Sequence, residues 1–89
     1  MKNKMIFVLT YLHRHGADVS VYASEGKAED AALRIMLAWF DELKDRFGVP
    51  ESARRRLKKY IKNTDYPKAA DTWRVYTDES FDIDEHTIN

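Results

Sequence analysis

Met5 to Leu12 is an apolar run in which Met5, Phe7, Leu9 and Tyr11 alternate with Ile6, Val8 and Leu12. Both faces are therefore apolar, the pattern of a strand buried on two sides with a neighbour on each edge. A polar turn follows, His13-Arg14-His15-Gly16-Ala17-Asp18, in which Gly16 is suited to a positive φ. The next run alternates, with Val19, Val21 and Ala23 on one face and Ser20 and Tyr22 on the other. The small face is expected to lie against a helix, and a slip of one residue in register would exchange the two. Together these runs predict a β-hairpin over residues 4–24.

Ser24 is placed to cap a helix, with Glu25 in its first turn favourable to the helix dipole. Ala28, Ala32, Ile35, Trp39, Leu43 and Phe47 then recur at three and four residues, and Gly48-Val49-Pro50 ends the pattern. One long amphipathic helix is predicted over 25–47. Leu33, Leu37 and Phe40 widen its apolar arc, so a further element must cover that flank.

The expected cover is a helix over 50–62, where Ala53, Leu57, Tyr60 and Ile61 share one arc and the cations take the other side. Residues 68–77 fit a short helix through Ala69, Ala70, Trp73 and Tyr76, and a strand through Thr72 to Thr77. The helix is preferred, because Pro67 can start it and Phe81 and Ile83, alternating with Asp82 and Asp84, then supply a third strand over 80–85. Pairing of that strand with the first would make the first central. The expected fold class is α+β: a three-stranded antiparallel sheet packed against one long helix, with shorter helices.

At 89 residues the chain is read as one domain, burying roughly 60% of its unfolded surface. Two Trp, five Tyr and four Phe give it core material, and the absence of cysteine excludes disulfides and thiolate metal sites. The apolar run after the basic Met1 to Lys4 is too short for a signal peptide or a membrane span, so a cytoplasmic protein without membrane contact is expected. Formal net charge is zero but unevenly spread. Arg54, Arg55, Arg56, Lys58, Lys59 and Lys62 crowd together, while Asp71, Asp78, Glu79, Asp82, Asp84 and Glu85 load the C-terminal part.

The string from His13 through Ser24-Glu25, followed by an alanine-bearing amphipathic helix ending in Trp39-Phe40-Asp41-Glu42, resembles small uncharacterised ββα-type accessory proteins of phages, plasmids and other mobile elements. In those proteins a histidine-arginine-histidine-glycine turn follows one strand, and a segment similar to Glu79-Ser80-Phe81-Asp82-Ile83 closes the sheet. The resemblance covers about half the chain and implies a sheet-and-helix domain of accessory role, with no assigned chemistry. Anti-defence proteins, anti-CRISPR inhibitors among them, are chains of this genre.

Candidate chemistry is sparse. His13 and His15 share a face if the strand persists, and with Arg14 and Asp18 they mark a functional turn, His86 being the further donor weighed for an imidazole and carboxylate metal site. No spacing there matches a metal-ligand pattern, and wet turns are polar in any case, so neither metal nor cofactor is expected. Thr10 and Ser20 belong to no nucleophile motif, and a non-enzymatic role is expected, metal-dependent chemistry at the His13 and His15 turn being the exception weighed. Arg54, Arg55, Lys58, Lys59 and Lys62 form a stripe able to track a phosphate backbone, which makes nucleic acid the alternative partner. A protein partner explains more residues. Phe7, Leu9, Tyr11 and Tyr22 are read as an apolar outer face of the hairpin, which a homodimer or another protein would cover. Asp78, Glu79, Asp82 and Asp84 form an acidic surface able to occupy a basic groove. The function expected is non-catalytic binding by an accessory protein that modulates a host protein or nucleoprotein complex.

Overall fold

The structure is a computed structural model describing residues 4–88; the basic N-terminal residues up to Asn3 lie outside the described residues. In chain order it comprises β1 (Lys4–His13), β2 (Gly16–Tyr22), α1 (Glu25–Ala38), α2 (Glu42–Asp45), α3 (Glu51–Lys62), α4 (Tyr66–Thr77) and β3 (Ser80–Ile88). The fold is α+β, with an antiparallel sheet of order β2-β1-β3. The two-sided apolar pattern of β1 thus corresponds to a central strand. His13 pairs with Gly16, so Arg14 and His15 alone span the hairpin turn, and Gly16 takes the positive φ of 127°.

Ser24 caps α1 by accepting from the Lys27 N–H at 3.2 Å. Ala28 and Ala32 are fully buried on this helix, and their small size allows a close approach to the sheet. The predicted single helix is interrupted. After Ala38 the chain tightens into i→i−3 bonds from Phe40 to Leu37, Glu42 to Trp39 and Leu43 to Phe40, and α2 resumes for one short turn. The tightening turns Trp39 outward, to 48% exposure, while Leu43 enters the core. Gly48, at φ 62°, then lets the Val49 N–H reach back to the Leu43 carbonyl at 2.9 Å.

The flank of α1 is covered as the sequence demanded: Leu33 and Met36 pack with Leu43, Val49, Ala53, Leu57 and Ile61, although Leu37 remains exposed. Residues 68–77 are helical. Asp65 caps α4, Pro67 sits in its first turn, and Trp73 is buried in the same core. Asp78 ends α4 in the left-handed region at φ 63°, which redirects the chain into β3.

Parity along the strands decides which side is which. Leu9 is completely buried, Tyr11 nearly so, and Phe7 half-buried, all facing the helices. Their cross-strand partners, Ser20, Asp18 and Tyr22 on β2 and Ile83, Phe81 and Glu85 on β3, share that side. The expected face assignment of the hairpin is therefore reversed: Val19 and Val21 are 62% and 58% exposed on the side away from the helices. No helix among the described residues is long and apolar enough to cross a membrane.

Candidate functional site

Three surfaces follow from this placement. The first is the helix-free sheet face. β1 presents Ile6, Val8, Thr10 and Leu12 there; β2 presents Ala17, Val19 and Val21; β3 presents Asp82, Asp84, His86 and Ile88. Leu12, Val19, Val21 and Ile88 are well exposed, so the face has an apolar centre with carboxylates on its β3 side. Asp82 and Asp84 stand two apart on the same strand face. Desolvation, followed by hydrogen bonding to Asp84 and repulsion from it, raises the pKa of Asp82 above its usual 3.8. The apolar residues expected to be open, Phe7, Leu9, Tyr11 and Tyr22, are on the opposite side and belong to the interior or its margin. Alternation alone could not reveal this, because both faces of β1 are apolar.

The second surface is the cleft at the hairpin end, on the helix side. Tyr11 stacks on its cross-strand partner Phe81, ring centroids 4.5 Å apart and planes within 5°, and Trp73 meets Phe81 edge-on at 6.0 Å. Beneath them Glu79 is only 6% exposed. Its Oε1 accepts from the Tyr11 hydroxyl at 2.6 Å and from the Trp73 indole N–H at 3.1 Å. Its backbone N–H donates to Thr77 Oγ1, which in turn donates to the Trp73 carbonyl. Burial, then the hydrogen bond to Glu79, pushes the Tyr11 phenol well above its usual pKa, so it stays a donor. Glu79 was expected on an acidic surface; it is instead a buried acceptor that ties β3 to β1 and α4.

Two residues along β1, the His13 ring lies 4.9 Å from that of Tyr11. His13 Nδ1 accepts from the His15 backbone N–H at 3.2 Å, which leaves the proton on Nε2, 3.0 Å from Asp18 Oδ2. The predicted functional turn thus assembles His13 with Asp18 and brings His15 beside them, while Arg14 lines an adjoining hollow with Arg46 and Asp78. Trp39, Glu42, Arg46 and Phe47 form the opposite wall, and the cleft has a volume of about 120 Å³. Periodicity assigns Trp39 and Phe47 to the core; Phe47 does pack against it while lining the cleft, whereas Trp39, after the break that ends α1, is exposed at the cleft wall. His86 is not part of it, since it pairs with Ile6 on the other sheet face. Among the described residues no cluster of three or more His, Asp or Glu is placed to hold a metal ion.

The third surface is α3. Arg55 pairs with Glu51 at 2.7 Å, Arg54 donates to the Val49 carbonyl, Arg56 to the Tyr76 hydroxyl, and the Lys58 ammonium lies 5.9 Å from the Phe40 ring centroid. Much of the basic stripe is engaged within its own helix or against its neighbours, as on a solvated helix face. Comparison of the chain with family models, with curated proteins and with solved structures gives no match.

Proposed function

We propose that this protein is a non-catalytic binding protein that docks a protein partner on the helix-free face of its sheet. The observation that carries the reading is the cluster of exposed aliphatic residues there, with Val19 and Val21 more than half open to solvent on the sheet face turned away from the helices. Interfaces are built on such apolar centres with a polar rim.

The β3 carboxylates select the kind of partner. In a two-fold pair of copies joined face to face, β3 would lie over the second copy's β3 or over its β2. The first arrangement sets Asp82 and Asp84 against the same carboxylates; the second presses them onto Val19 and Val21. Both are unfavourable, which points away from a homodimer through this face and toward an unlike protein with an apolar ridge flanked by Lys or Arg. On the resemblance drawn from the hairpin sequence, that protein belongs to the host of a mobile element.

The test uses the tagged chain on nuclease-treated bacterial lysate beside a Val19→Lys/Val21→Lys variant. A defined protein is expected to be retained by the first, lost from the second, and released as salt rises, while sedimentation gives a monomer. Equal retention by the variant, or a dimer that the variant dissociates, would overturn the reading. Nucleic acid alone, released at high salt, would transfer the function to the α3 cations Lys59 and Lys62.

A further inference from the structure

The cleft at the hairpin end lies on the opposite side of the sheet from the docking face and is independent of it. Glu79 is its most informative residue. Oε1 takes both hydrogen bonds from Tyr11 and Trp73, and Oε2 has no partner among the described residues. Among the described residues no side-chain oxygen or nitrogen is both sealed from solvent and unpaired, so Oε2 keeps access to solvent, and the open space beside Glu79 is this cleft together with the adjoining hollow that Arg14 lines. A carboxylate nine-tenths buried, with one oxygen not engaged by the described residues and open space beside it, can accept from a donor that enters that space.

The surroundings specify that donor. Trp39 and Phe47 are among the aromatic residues that line the cleft, and Glu79, Glu42 and the His13-bonded Asp18 outweigh Arg46 in formal charge, with His13 and His15 beside them. A volume of about 120 Å³ is somewhat below the ~150 Å³ of an engineered cavity that holds one benzene ring, so the occupant is a group of only a few heavy atoms. We propose that this cleft binds a guanidinium or amidinium cation, its N–H groups on Glu79 Oε2 and its plane against the Trp39 wall. A quaternary ammonium carries no N–H and would leave Oε2 unpaired; a primary ammonium is more strongly hydrated and stacks less well. Arg46 sits at the rim with its guanidinium carbon 5.4 Å from the Phe47 ring centroid and makes no ion pair with a carboxylate among the described residues. It repels a cationic guest and would attract an anionic one.

The experiment is a titration of the ¹⁵N-labelled full chain with methylguanidinium chloride, read at the indole N–H signals of Trp39 and Trp73. Tetramethylammonium is the matched cation without donors, and acetate the anionic control. A saturating shift with methylguanidinium is expected, at least tenfold weaker with tetramethylammonium and with Glu79→Gln. Arg46→Ala is expected to tighten it severalfold. Trp39→Ala, an exposed position whose loss leaves the core intact, provides a second variant expected to weaken binding should Glu79→Gln disturb folding. A blocked arginine peptide then separates the sources: tighter binding than methylguanidinium indicates a protein side chain, and exclusion of the peptide indicates a free small cation. No saturable shift, equal response to tetramethylammonium, indifference to both variants, or weaker binding in Arg46→Ala together with a response to acetate would overturn the assignment.

Discussion

Glu79 offers the most demanding test of how this fold is held. Replacing it with Ala strands two buried donors, the Tyr11 hydroxyl and the Trp73 indole N–H. Each orphaned donor costs about 1–3 kcal/mol, giving ~2–6 kcal/mol, toward the lower end where water from the cleft can reach the hydroxyl. A domain of 89 residues has only about 4–13 kcal/mol of total stability, so Glu79→Ala removes a large part of it. Glu79→Gln keeps an acceptor in place and no longer buries a charge, and should stay within about 1 kcal/mol of the parent. The pair Tyr11→Phe/Glu79→Ala should be more stable than Glu79→Ala alone, because one orphan has been removed with its hydrogen bond. Urea unfolding followed by Trp fluorescence reads these differences as shifts in midpoint at constant slope. A cost below about 1 kcal/mol for Glu79→Ala, a Gln variant as damaged as the Ala variant, or no rescue by Tyr11→Phe would refute the account of Glu79 as the tie between β3, β1 and α4.

Asp82→Asn should stabilise the protein at pH 7 by a few tenths of a kcal/mol, since the folded state raises the pKa of Asp82 and so disfavours its charge. The sign follows directly: protonation favours the folded state, so the variant's advantage shrinks as pH falls through the folded pKa and is gone below 3.8, which thermal melts at pH 3 and pH 7 would show. The same variant should weaken capture of a basic partner on the open face. Thr64, at φ 53° just after α3, holds a β-branched side chain in the left-handed region, so Thr64→Gly should raise stability by about 0.5–1 kcal/mol; a fall in Tm would contradict this.

Local pattern was enough for the order of the elements apart from the break between α1 and α2. The cap at Ser24, the stop at Gly48 and the helicity of 68–77 rest on features spaced within a turn or two, where backbone geometry acts directly, and the central place of β1 is marked by its two-sided apolar pattern. His13, His15 and Asp18 were legible as a cluster for the same reason, because a short turn brings close neighbours in sequence together. Other features were settled only by the assembled chain. Which face of the hairpin meets the helices depends on parity, and β1, apolar on both sides, carries no sign of it; pairing of His13 with Gly16 and the seating of Leu9 in the core choose. The spacing from Ala28 to Phe47 fits a continuous helix and a broken one equally well, and the break that aims Trp39 at the cleft serves to bring Leu43 and Val49 into one core with Leu57. Glu79 reads as one acid among several until Tyr11, 68 residues earlier, supplies its hydroxyl. The division follows from the range of the forces: hydrogen-bonded turns and side-chain periodicity are encoded within a few residues, whereas burial of a face or a carboxylate depends on partners that only the folded chain brings within contact distance.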